Sequence, residues 1–230
     1  MMALFRYEGG NMRFERLQYL FDPLCGWCYA SAPALGYLAQ HHADELELMP
    51  SGLFSDEGAR DITAEWAEYA WSNDRRIASL TGQPFSERYH QLLLSGTRFD
   101  STFMNRALTM VRDINPSAET HLLHTLQHAR YVEGRDTSRP DVVGDIVEDW
   151  AGKNNLALKH ERVTLALDTD KALRHITDER IAKVKRLMNQ HGIRGVPVLL
   201  ATVNGKEHMI SGHALYGGAE KLRATLSTLS

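Results

Sequence analysis

Cys25-Gly26-Trp27-Cys28 holds the only two cysteines of the chain. Thiols at this spacing can close into a reversible disulfide, supply half of a metal site, or sit inert in a core. A structural zinc site takes four ligands, and no second Cys pair exists to complete one. The spacing therefore favours redox chemistry, and no metal is expected. Just before the pair, Leu17-Gln18-Tyr19-Leu20-Phe21 reads as a strand; just after it, Tyr29 to Leu38 reads as a helix. At the start of a helix, unpaired N–H groups and the positive dipole end favour a thiolate over a thiol. This placement predicts that Cys25 caps the helix and that Cys28, within the first turn, is more buried and within bonding reach.

Other constellations carry less. His121, His124 and His128 recur on one helix, but Leu122, Leu126 and Ala129 form the neighbouring apolar face, so the histidines read as a solvated or interface stripe. Trp66, Tyr69 and Trp71 read as core aromatics before they read as a substrate surface. No Gly-rich phosphate loop joins a strand to a helix, and no serine triad is suggested.

The elements that must position the Cys pair follow from the patterning. After the first helix, Glu45-Leu46-Glu47-Leu48-Met49 alternates as a half-buried strand, which makes a βαβ unit with parallel strands. From Asp56 to Gln190 the pattern is helical and strand-like stretches are almost absent. Met104, Leu108 and Val111 mark one helix, with Asn115-Pro116 capping the next; Val142, Val143, Ile146, Val147 and Trp150 mark another, and Ile181, Val184, Leu187 and Met188 a third. Gly192 to Pro197 breaks the last of these. Val198 to Val203 is then a buried strand that turns at Asn204-Gly205 and returns through Lys206 to Ile210. Gly217-Gly218 opens a final helix with Leu222, Leu226 and Leu229 on one side.

A chain of 230 residues, 43% hydrophobic and with net charge −3, is long enough for one domain with an insertion. Its basic residues are interspersed with acidic ones, so no footprint for nucleic acid is present. Arg6, Glu8, Arg13, Glu15 and Arg16 leave no apolar stretch for a signal peptide, and no later run spans a bilayer. A cytoplasmic protein is expected, without membrane partners, and in that reducing compartment a Cys pair is more often catalytic than structural. Residues 1–12 read as a flexible leader, with Met12 a candidate start.

These residues resemble the thioredoxin superfamily, and more closely its DsbA-like branch, including the FrnE-like proteins. The resemblance rests on the Cys25-Gly26-Trp27-Cys28 junction, on Pro33 five positions beyond Cys28, and on Gly195-Val196-Pro197 before a terminal hairpin and helix. Weaker echoes are Phe21-Asp22-Pro23, Gly52-Leu53 and Thr81-Gly82-Gln83-Pro84-Phe85. It implies an α/β thioredoxin fold with a large all-helical insertion between an N-terminal βαβ unit and a C-terminal ββα unit. The thioredoxin domain would comprise residues 13–55 and 191–230, and the insertion residues 56–190, its last helix packing back on that domain. The resemblance also implies a cis Pro197 beside the cysteines, leaving the backbone N–H and C=O of Val196 free to pair with an extended substrate.

The implied activity is thiol–disulfide exchange. Cys25 forms the mixed disulfide, Cys28 resolves it, Gly26 and Trp27 shape the turn, and Val196 and Pro197 dock the substrate backbone. No bound cofactor is implied; glutathione or a partner dithiol exchanges the electrons, and the substrates are glutathione or proteins carrying thiols or disulfides. Gly-Trp stands between the cysteines where DsbA has Pro-His, and Asp22 nearby has the wrong sign to stabilise a thiolate. Both departures point toward the reductase or isomerase direction. Two rivals remain: a glutathione-dependent isomerase or transferase of DsbA-like fold, a class that usually carries serine at the position of Cys25, and a non-catalytic chaperone-like module. Nothing in the sequence specifies an oligomeric state.

Overall fold

The computed structural model describes residues 14–112, 114, 116–160 and 162–229. The expected leader at 1–12 and the expected cap at Asn115 lie outside them. Strand β1 (Arg16–Phe21) leads to α1 (Gly26–Ala30) and α2 (Ala32–His41), and β2 (Leu46–Pro50) follows. The insertion runs through β3 (Arg60–Asp61), α3 (Ala64–Thr81), α4 (Glu87–Leu94), β4 (Arg98–Phe99), α5 (Thr102–Arg112), α6 (Glu119–Tyr131), α7 (Pro140–Lys153), α8 (Val163–Thr169) and α9 (Lys171–His191). The chain closes with β5 (Val198–Val203), β6 (Lys206–Ser211), α10 (His213–Tyr216) and α11 (Ala219–Leu226).

The four-stranded sheet has the order β2-β1-β5-β6, with β1 parallel to β2 and antiparallel to β5. Alternation along the strands decides what each face buries. Leu17, Tyr19, Phe21, Leu199 and Ala201 enter the main core with α1, α2 and most of the insertion, whereas Leu20, Met49, Val198 and Leu200 meet Val184 of α9 on the opposite face. The long apolar stripe of α9 therefore covers the sheet, and Gly192, at φ 64°, ends the helix in a left-handed conformation that glycine adopts without strain.

Among the described residues the insertion has one antiparallel pair besides its helices, β3 with β4, two residues on each strand. Too short to be seen as alternation, that pair leaves the expected architecture intact. A 3₁₀ turn at Pro116–Ala118 leads into α6, so the residue before the helix is Ala118. Insertion and sheet are joined by a buried ion pair: Arg180 of α9 donates to Glu119 of α6 at 2.6 Å and to the Leu48 carbonyl of β2 at 2.7 Å. Among the described residues no helix is long and apolar enough to cross a membrane.

Candidate active site: the Cys25–Cys28 pair

The pair sits where β1 ends. The Cys25 N–H donates to the Asp22 carbonyl at 3.1 Å, and Cys25 itself, at φ −82° and ψ 117°, caps α1. Its carbonyl accepts from the N–H groups of Cys28 and Tyr29. Helix α1 is only five residues long because Ser31 interrupts it, its Oγ donating back to the Trp27 carbonyl at 2.9 Å, and because Pro33 in the first turn of α2 brings no N–H.

Both cysteines are thiols in the structure. Cys25 is half-buried, whereas Cys28 is 2% exposed. Burial, and then Cys25 beside it, push the Cys28 thiol well above its ordinary range, against a hydrogen bond from the Asp22 backbone. The Val196–Pro197 peptide is cis, and the Val196 carbonyl lies 3.5 Å from Cys25 Sγ. That carbonyl is therefore engaged with the thiol rather than free as expected; the Val196 N–H has no partner among the described residues. Beside it opens a cavity of about 430 Å³ lined by Trp27, Arg194, Val196, Pro197, Met209 and Tyr216. The rings of Trp27 and Tyr216 lie 4.7 Å apart, which gives this side of the site an aromatic wall.

The other side is closed by acids and aromatics. Asp22, fully buried, accepts from Leu24 N, Phe54 N and Ser101 Oγ at 3.0, 3.2 and 3.1 Å. Burial outweighs these bonds and pushes its carboxyl up to about 6. Asp22 is thus a hydrogen-bonded tie between the Cys loop and the insertion more than a permanent charge beside Cys25. Asp74 of α3 accepts from the Tyr89 hydroxyl at 2.9 Å, and burial pushes it up to about 7. Tyr131 donates to the Leu24 carbonyl at 2.8 Å, and its ring stacks on Tyr29 with centroids 4.8 Å apart.

The sequence places Cys25, Gly26, Trp27, Cys28, Val196 and Pro197 as site residues, and the fold brings all six together. It does not point to Asp74, Tyr89, Tyr131 or Tyr216. A charged residue on the apolar face of α3, in line with buried Ala67 and Ile77, is the available signal for Asp74. The three histidines line one cavity but take different partners: His121 accepts from Trp150 Nε1 at 3.3 Å, His124 faces the Tyr29 ring and His128 meets Glu133. Among the described residues no group of metal-binding side chains forms. Trp66 packs on Phe99 and Trp71 on His90, while Tyr69 is exposed.

No protein-family model matches the chain, and no curated protein does. Solved structures do. The cytosolic disulfide reductase DsbM from Pseudomonas aeruginosa is similar at 29% identity and TM-score 0.77, covering 93% of this chain and 97% of that one. DsbM with GSH gives 28% and 0.76, over 93% and 98%. A candidate protein disulfide isomerase from Nitrosomonas europaea gives 23% and 0.72, over 94% and 97%, a likeness of fold. The DsbM structures support thiol–disulfide oxidoreduction as the general class of reaction. Since they superpose over 93% of this chain, it has the DsbA-like thioredoxin fold with a helical insertion.

Proposed function

We propose that the chain is a cytoplasmic thiol–disulfide oxidoreductase that works in the reducing or isomerising direction, with Cys25 as nucleophile and Cys28 as resolving thiol. The observation that carries this reading is the inequality of the two sulfurs. Cys25 is half-buried with its sulfur against the Val196 carbonyl, and Cys28 is buried behind it at 2% exposure. Cys25 thiolate attacks one sulfur of a substrate disulfide, a mixed disulfide forms, and the other sulfur leaves as a thiolate. Cys28 then gives up its proton and attacks Cys25, releasing the reduced substrate. Two glutathione thiols, or a partner dithiol, return the electron pair. The DsbM structure with GSH supports glutathione in that role, and the cytosolic description of DsbM supports the compartment.

Val196 and Pro197 bind the substrate chain, with Trp27 lining the same groove and Gly26 shaping the turn between the cysteines. Its added backbone pairs with the unpartnered Val196 N–H, while its sulfur displaces the contact between Cys25 and the Val196 carbonyl. Residues 13–55 and 191–230 form the thioredoxin domain in this reading, and 56–190 the insertion. The direction follows from charge: the Asp22 and Asp74 carboxyls stand behind the pair and no cation contacts either sulfur among the described residues, so thiolate stabilisation rests on the helix terminus.

The test pairs two assays with two variants. Cys28→Ser is expected to accumulate a mixed disulfide with glutathione or protein thiols, and Cys25→Ser to trap none, by mass spectrometry of the intact protein. Wild-type protein is expected to reduce insulin without conjugating glutathione to an electrophile. Equal trapping by both variants overturns the roles; conjugation without insulin reduction assigns the chain to the transferase class instead.

A further inference from the structure

The groove beside Cys25 carries one charge. Of the described side chains that line it only Arg194 is ionised; the others are apolar or aromatic or, at Ser211, a hydroxyl. Arg194 is exposed and makes no ion pair or hydrogen bond among the described residues. Cations on the preceding helix differ: His191 is held by Glu207 of β6 at 3.2 Å, and Arg180 by Glu119 at 2.6 Å. An exposed arginine is by itself ordinary, but this one stands two residues before Val196, whose N–H has no partner among the described residues. It is therefore at most about 7 Å along the backbone from the atoms that would pair with a substrate chain.

Among the described residues nothing accounts for glycine at position 195. Its φ is not positive, and a Cβ built there meets nothing within 4 Å. Cβ atoms built at Gly192 and Gly212, which line the same groove, also meet open space. The wall around Arg194 is thus bare of side chains, and what uses that room comes from outside the chain. An extended segment paired with Val196 would lay its backbone across Gly195 and bring a residue close to its own cysteine beside Arg194. The net charge of −3 does not cancel this cation. At 0.1 M salt, charges more than about 10 Å away are largely screened, so the charge of the groove itself decides.

We propose that Arg194 determines the specificity of the groove, and that it selects protein disulfides carrying an aspartate or glutamate within two residues of the attacked cysteine. The substrate carboxylate pairs with the guanidinium, whose planar fork fits it in two parallel hydrogen bonds, while the backbone beside the cysteine pairs with Val196. Acidic segments are drawn to the groove and held in register, and basic ones are repelled. The occupant is a protein segment because Trp27, Met209 and Tyr216 continue the groove with apolar surface, which glutathione, having no apolar side chain, leaves uncovered. Arg194 is a positioning residue, since the contact of the Cys25 sulfur is with the Val196 carbonyl. The exchange itself balances as before. The Cys25 and Cys28 thiols give up two electrons and two protons and join in a disulfide, and the S–S bond of the substrate breaks into two thiols.

This inference rests on the proposed oxidoreductase reading, and single turnovers of the reduced protein test it. Three peptide disulfides are compared that differ only in the residues flanking the cysteine, which are Asp, Asn or Lys; glutathione disulfide is run separately. At low salt, wild type is expected to react with the Asp peptide about tenfold faster than with the Lys peptide, attraction and repulsion giving about threefold each, as exposed ion pairs do. Arg194→Lys is expected to keep this order and Arg194→Gln to bring the three rates together. Arg194→Glu is expected to invert it, about tenfold toward the Lys peptide, which a merely structural role would not do. In 1 M salt, where the screening length falls to about 3 Å, the wild-type preference should vanish. Equal rates for the three peptides with wild type overturn the proposal. So does an Asp preference that survives Arg194→Gln, or an Arg194→Glu protein that slows all three peptides by one factor. Arg194→Gln slowing glutathione disulfide as much as the Asp peptide also overturns it, since the carboxylate bound is then that of glutathione. Each of these leaves the oxidoreductase reading standing, whereas a wild type that reduces none of the peptides defeats both.

Discussion

The Cys pair stands between two halves of the molecule that treat it differently. The sheet half meets it with an open groove, in which the Val196 carbonyl touches Cys25 and the Trp27 and Tyr216 rings form a wall. The insertion meets it with a closed surface of Asp74, Tyr89, Tyr131 and buried Arg130. One side has room for a chain of residues, and the other has room for a proton. The insertion is therefore part of the site's electrostatics and not only a cover for the sheet. Three expected outcomes break or sharpen that comparison.

The largest concerns the joint between the halves. Burial pushes Glu119 up and Arg180 down, in each case as the largest influence and against the attraction of its partner. Desolvation thus outweighs the pairing, and the bond holds because breaking one side leaves a bare buried charge. Glu119→Gln is expected to cost about 3–5 kcal/mol in urea unfolding. Replacing both residues by apolar ones of similar size, Glu119→Leu with Arg180→Met, is expected to recover most of that loss. A small effect of Glu119→Gln would mean that the apolar contacts between the halves hold them without the ion pair.

The second is a pH dependence that belongs to the closed wall. An ordinary aspartate titrates near 3.8, and Asp74 in the fold near 7. Below the lower value both states carry the proton, and Asp74 costs nothing. As pH rises toward 7 the unfolded chain releases the proton while the folded chain keeps it, so stability is progressively lost. Asp74→Asn removes that loss. Relative to wild type the variant is expected to gain with pH from about 4 to about 7, by on the order of 4 kcal/mol, and to level off above. Urea midpoints across that range measure it, and a flat difference would place the Asp74 charge in water.

The same division separates what the sequence reveals from what it hides. The open half is built from neighbours in the chain: strand, Cys pair and helix follow one another from Leu17 to Leu38, and Asn204-Gly205 announces its hairpin. Val196-Pro197 comes from afar, and the family resemblance supplies it. The closed half is assembled from residues 74, 89, 130 and 131, which no local pattern connects to position 25. Asp74 and Arg130 look like surface charges until the helices are packed, and packing is what turns them inward. Helix α10, four residues between Gly212 and Gly217, is too short to show a period, so Tyr216 was hidden although it lies against Trp27. The β3–β4 pair was invisible for the same reason.

The smallest effect is expected on the open side. Trp27 is half-buried, and its main partner is the Tyr216 ring, so Trp27→Ala should cost about 0.5–1.5 kcal/mol for that pair beyond the apolar area it exposes. Its consequence should lie in binding. A peptide disulfide long enough to follow the groove past Arg194 and Met209 loses the aromatic wall, so its KM should rise severalfold with little change in kcat, the mark of lost uniform binding. Glutathione is small enough to react at Cys25 using the Val196 edge alone, and its rate should change little. Steady-state kinetics with both substrates on wild type and Trp27→Ala separate the cases. A proportional loss for peptide and glutathione would mean that Trp27 acts on the cysteines themselves, and the groove would no longer account for substrate choice.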